Sequence, residues 1–147
     1  MRKVLLLGLV VALAMLLTAC GATTGPSAPV APQPGARLSG PIEITGKASS
    51  ATITLKVSDD GTTLTSIGVE FQNLKCNGFS AGSMSKSVSG SFAITGGSIA
   101  ATAGGLGEIN GRFTSPTEAS GTANLTLKIP MSGDCALGEF KWSAKAQ

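Results

Sequence analysis

No histidine and no tyrosine occur in the 147-residue chain. Without histidine there can be no Ser-His-Asp triad, no Cys-His nucleophile pair and no histidine-based metal site. Charged residues make up only 13% of the sequence, and they form neither a basic patch nor an acidic tail. Nucleic acid and cation buffering therefore have no electrostatic support. Aromatic side chains are scarce too: Phe71, Phe79, Phe92, Phe113, Phe140 and Trp142. After residue 40 no stretch shows helical periodicity, so an α-helical domain is not expected.

The motifs that remain carry little chemistry. Ser83-Met84-Ser85-Lys86 fits SxxK, a motif that works when a helical turn brings the lysine onto the serine. Here the surroundings read as strand, and the SDN and KTG partners are missing, so Lys86 reads as a solvated lysine on a serine-rich strand. The carboxylates are Glu43, Asp59, Asp60, Glu70, Glu108, Glu118, Asp134 and Glu139. A glycosidase needs two of these facing each other across a cleft; scattered at turns and strand ends, they read as solvated. Ser58-Asp59-Asp60-Gly61 resembles part of a calcium loop but lacks the alternating ligands and the closing glutamate, so a hairpin turn is the expected role and no metal is assigned. The run from Gly105 to Asn110 stops short of GxGxxG and carries no nucleotide inference.

What is present begins at the amino end. Arg2 and Lys3 precede an apolar run from Val4 to Leu17, the layout of a secretory signal. The run falls short of the roughly 20 apolar residues needed to cross a bilayer. It ends at Leu17-Thr18-Ala19-Cys20, which resembles the bacterial lipobox: an aliphatic residue, two small residues, then cysteine. That resemblance implies a diacylglyceryl group on the Cys20 sulfur and cleavage that leaves Cys20 as the first residue. The expected product is a bacterial lipoprotein held at the cell membrane or outer surface, outside the cytoplasm. Asn124-Leu125-Thr126 matches a glycosylation sequon and is set aside on such a chain.

With Cys20 assigned to lipid, Cys76 and Cys135 remain. Both lie in the exported part, and a two-thiol zinc site lacks further ligands of the usual kind and spacing, so the two are expected to pair as a disulfide. Loss of Arg2 and Lys3 with the signal leaves nine basic and eight acidic residues, close to neutrality.

The expected organisation is a signal peptide over 1–19, a lipidated cysteine and flexible proline-rich linker over 20–40, and one domain over 41–147. The linker carries two PxxP matches, at Pro26 and Pro29 and at Pro29 and Pro32, which read as tether. The domain alternates apolar and polar residues with period two over 51–57, 109–113, 123–129 and 140–144. Further strand candidates are 42–45, 64–71, 83–88, 91–94 and 98–102. Asp60-Gly61 and other Gly-bearing pairs mark the turns. Eight or nine short strands predict an all-β fold, a single antiparallel β-sandwich or jelly roll, with a closed barrel second.

Phe71, Phe113, Phe140 and Trp142 fall on the apolar phase and are expected in the core. Phe79, in the loop after Cys76, is the ring expected to contact a ligand. A further pattern begins at Gly111, runs G-x-F-x-S-P-T-x-A-S-G-T to Thr122, and continues with Cys135 and Trp142-Ser143-Ala144. It resembles secreted bacterial β-sandwich domains of unassigned function, and the resemblance implies the fold and the disulfide but no activity. The expected function is a noncatalytic envelope or surface interaction module with no cofactor, its partner a polysaccharide or an envelope protein. The alternatives are a small carbohydrate-active hydrolase using paired carboxylates, and a structural spacer.

Overall fold

A computed structural model describes residues 28–76, 78–129 and 133–147, without the side chains of Phe79 and Ala81. Eight antiparallel strands form one sheet: β1 (Arg37–Glu43), β2 (Ser50–Val57), β3 (Thr63–Cys76), β4 (Phe79–Thr95), β5 (Ser98–Ala103), β6 (Gly107–Ser115), β7 (Glu118–Ile129) and β8 (Gly133–Ala146). Each strand pairs with its neighbour in sequence, and β1 pairs with β8 through Leu38–Ala146 and Ile42–Trp142, so the sheet closes on itself.

The all-β antiparallel expectation holds, but its arrangement is corrected: the molecule is an up-and-down barrel and not a sandwich or jelly roll. The cause is pairing order. Each strand lies beside its neighbour in sequence, and the pairing of β1 with β8 leaves the described strands as one closed sheet with no second layer to pack against.

Alternation places one face of every strand inside. Ile53, Leu55, Ile67, Phe71, Ile99, Ile109, Phe113 and Leu125 are almost wholly buried, with Trp142 and Ala144 beside them. Eight strands enclose a lumen just wide enough for side chains to fill. Phe71, Phe113 and Trp142 are core as expected, and Phe140 is half-buried against that core. The outer face carries serine, threonine and charge. That polarity is the reverse of a barrel that faces lipid.

The two ends differ. The near end gathers the β2–β3, β4–β5 and β6–β7 turns, and segment 28–36 lies across it. Gln33 N–H donates to Pro116 O (2.7 Å), Gly35 N–H donates to Ser58 O (2.8 Å), and Pro32 and Ala36 are buried. The expected linker over 20–40 therefore overlaps the folded domain: β1 starts at Arg37, and Val30 already packs on the core. Cys20 and the rest of 1–27 lie outside the described residues.

At the far end, the β5–β6 turn buries Leu106, whose carbonyl accepts from Thr126 N–H (2.9 Å). Cys76 at the end of β3 and Cys135 near the start of β8 form the expected disulfide, with Cα atoms 5.8 Å apart. It ties two hairpins together across the barrel mouth.

One seam is loose. β4 has 17 residues and pairs along its length with β3, yet it meets β5 at only two positions, Ile94–Ile99 and Thr95–Ser98. Met84, Val88 and Phe92 on its inner phase are half-buried along this opening.

Candidate functional site

The register of β1–β4 writes the outer wall as three cross-strand rows. The first is Arg37–Lys56–Ser66–Ser89, the second Ser39–Thr54–Gly68–Ser87, and the third Pro41–Thr52–Glu70–Ser85. Each of these residues alternates with an inward neighbour such as Leu38, Leu55 or Ile67, so their positions follow from the period-two pattern. Gly68, at the centre, has no side chain. The result is a groove of about 280 Å³ with Gly68 in its floor and Arg37, Lys56 and Glu70 among its lining residues.

The groove is polarised. Arg37 and Lys56 stand directly opposite one another at one end. Ser66 and Ser87 hydroxyls lie 3.1 Å apart in the middle. At the other end Glu70 Oε1 accepts a hydrogen bond from Gln72 Nε2 (2.9 Å), and Gln72 Oε1 accepts from the Ser83 hydroxyl. Donors, acceptors and both signs of charge thus face one shallow depression. Sequence reasoning did not find this site, because its residues come from four strands and meet only through register. One signal was available: Gly68 interrupts a strand, and glycine there often marks the close approach of a ligand or another backbone.

The residues singled out from sequence are dispersed, although Glu70 and Lys86 are among those that line the groove. Ser83 and Lys86 lie on opposite faces of β4, as i and i+3 must on a strand. Ser83 bonds Gln72 outside, whereas Lys86 occupies an inward-phase position opposite Val69. Its side chain runs through the loose seam toward Gly105: a carbon added at Gly105 would sit 3.7 Å from Lys86 Nζ. The helical geometry that SxxK chemistry needs is absent from this pair.

Asp59 and Asp60 form the β2–β3 turn. Asp60 Oδ1 accepts from the Ser58 hydroxyl, from Thr62 N–H (3.0 Å) and from Thr62 Oγ1–H (2.8 Å). These bonds, the Ser58 hydroxyl foremost, hold the Asp60 carboxyl down to about 2 from its ordinary 3.8. Its oxygen is committed to the turn, the role expected of a hairpin. Among the described residues no group of three or more Asp, Glu or Cys is placed to hold a metal ion.

Of the other carboxylates, Glu108 and Glu139 flank Asn124 across β6, β7 and β8, both exposed on the outer wall. Glu118 pairs with Lys145 at 2.9 Å. The β1–β4 groove holds one carboxylate, Glu70. The backbone of Phe79 opens β4 opposite Cys76 at the far end, away from the groove; its side chain lies outside the described residues.

Among the described residues no helix is long and apolar enough to cross a membrane. The chain matches no protein-family model, no curated protein and no solved structure.

Proposed function

We propose that the protein is a lipid-anchored, noncatalytic recognition module of the bacterial envelope that binds polysaccharide in the outer groove of β1–β4. The observation that carries this reading is the groove itself. It is a hydroxyl-lined depression floored by Gly68, on a barrel whose lumen is filled by its own side chains. Sugar hydroxyls both donate and accept hydrogen bonds, and Thr54, Ser66, Ser85, Ser87 and Glu70 answer them with groups of both kinds. The anchor rests on Leu17-Thr18-Ala19-Cys20, and the extracytoplasmic location accords with the Cys76–Cys135 disulfide.

Gly68 also supplies the test. A carbon added there meets Ser87 Oγ at 3.7 Å, an ordinary contact, so a side chain fits the fold but fills the groove. The full chain, purified in a neutral detergent, binds members of a polysaccharide panel saturably, and Gly68→Val abolishes that binding with the thermal midpoint little changed. Binding that survives Gly68→Val but is lost in Phe79→Ala would move the site to the far end. Binding unaffected by either variant would sink both placements.

A further inference from the structure

We propose that this groove selects glycans bearing an anionic group, a carboxylate, sulfate or phosphate, and that Arg37 and Lys56 are the residues that read it. The inference rests on the polysaccharide reading of the same groove and specifies its ligand class.

Its basis is an electrostatic anomaly in the sheet. Arg37 and Lys56 are direct cross-strand partners, and like charges placed opposite one another destabilise an antiparallel pair. A nearby acid would ordinarily relieve the repulsion. Among the described residues the one ion pair is Lys145–Glu118, on β8 and β7, and neither Arg37 nor Lys56 takes part in it. The groove's own acid is too far along the wall to help. Four residues of β3 separate the Lys56 row from the Glu70 row, about 13 Å at 3.3 Å per residue. Two cations therefore stand at one end of the depression with no ion-pair partner among the described residues. Of the acids in the adjoining β2–β3 turn, Asp60 is held by Ser58 and Thr62, and Asp59 reaches toward Gly35.

The chemistry of the pair fits an oxyanion. A guanidinium offers a planar fork of donors matched to carboxylate, sulfate or phosphate, and an ammonium adds a point charge beside it. Beyond them Ser66 and Ser87 present hydroxyls, and Glu70 can accept from sugar hydroxyls at the far end. That order of cation, hydroxyls and carboxylate suits a saccharide with one charged substituent. It suits an anionic lipid surface poorly, since a flat sheet of negative charge would meet Glu70 together with the cations. An acidic peptide would look for apolar seats at its cationic contacts, and the one apolar side chain of the three rows, Pro41, stands in the Glu70 row, away from Arg37 and Lys56.

The test titrates the full chain, in neutral detergent, with oligogalacturonate, dextran sulfate and neutral dextran at low and high salt. Oligogalacturonate or dextran sulfate is expected to bind at least tenfold tighter than neutral dextran and to weaken as salt rises. Arg37→Gln and Lys56→Gln each lower that affinity about tenfold or more, the usual scale for a lost charge-assisted hydrogen bond. Lys56→Glu separates recognition from folding: it places opposite charges across β1 and β2, so the thermal midpoint holds or rises while anionic binding disappears. A fall in midpoint that parallels the lost binding would reduce the pair to a structural role and overturn the proposal. Equal affinity for dextran and the anionic probes, both abolished by Gly68→Val, would leave a glycan site and overturn the anion reading alone. No saturable binding of any probe would overturn the glycan reading with it, as would binding confined to vesicles of anionic lipid.

Discussion

Gly111 and Gly121 face each other across β6 and β7, and Trp142 pairs with Gly121 from β8. A carbon added at Gly111 would run into the Trp142 ring, and one added at Gly121 would run into the carbonyl oxygen of Asn110. The indole lies in the space the glycines leave, and its N–H donates to Thr122 O at 3.1 Å, so its one polar atom is satisfied. Gly121→Ala should therefore destabilise by about 1–3 kcal/mol, the usual scale of overpacking. Gly104→Ala, where an added carbon meets nothing, should stay within about 0.5 kcal/mol of the parent. Urea unfolding of the two variants checks both values, and equal midpoints would refute the packing account. Asp60 makes a different residue-scale prediction. Its folded pKa of about 2 lies below the ordinary 3.8, so the stability it contributes is present in full above about pH 4 and fades as pH falls through 2. A carboxyl resonance of Asp60 that titrates near 4 would show that the Ser58 and Thr62 bonds do not form in solution.

At the scale of elements, β4 is the strand that departs most from the rest. Its outer phase is a ladder of serines, while its inner phase mixes Met84, Val88 and Phe92 with Lys86 and stays half-exposed. The weak pattern has a cause: β3 covers one edge, and β5 reaches the other only at Ile94 and Thr95. Lysine is tolerated on that phase because the open seam lets its ammonium leave the interior. Amide exchange should alternate along 79–93, slow where N–H groups point to β3 and fast where they point to the seam; uniform protection would mean that the seam closes in solution. The disulfide is the other element-scale device, closing a loop with a sequence separation of 59. The chain-entropy model gives about 4 kcal/mol for a loop of that size, so Cys76→Ser/Cys135→Ser should unfold at clearly lower denaturant, and reduction of the parent should match it. Strand existence was legible in the sequence because burial on one face imposes period two, as in 51–57 and 123–129. Closure was not, since a sandwich strand and a barrel strand alternate alike; what decides is that β1 pairs with β8, a contact between the two ends of the domain that no local pattern announces. β4 reads from sequence as two shorter pieces, 83–88 and 91–94, because Gly90 and the change of register near it interrupt the alternation. The groove was less legible still: Arg37 fell within the expected linker, and rows across four strands cannot be read before register is known.

For the whole molecule, segment 28–36 decides which end of the barrel a lipid on Cys20, as proposed, would tether. Val30 and Pro32 already lie against the near end, and Val30 is only ten positions from Cys20 along the chain. At no more than about 3.6 Å per residue, the near end stays within roughly 36 Å of an acyl group on Cys20. On that reading the end with the β2–β3, β4–β5 and β6–β7 turns is the tethered one, and the disulfide-tied hairpins lie at the free end. The outer groove runs up the barrel wall with Arg37 and Lys56 toward the near end and Glu70 farther out. A saccharide strand would thus lie along the wall, its charged group closest to the anchor. Each step depends on Cys20 being the attachment point, and that can be measured directly. Intact-mass analysis of the membrane-extracted protein should show a chain beginning at Cys20 and carrying diacylglyceryl, and Cys20→Ser should abolish both the lipid mass and the processing. A chain of unmodified mass that retains 1–19 would remove the anchor, and the orientation of the groove would fall with it. The groove's chemistry would stand, since no residue of its three rows comes before Arg37.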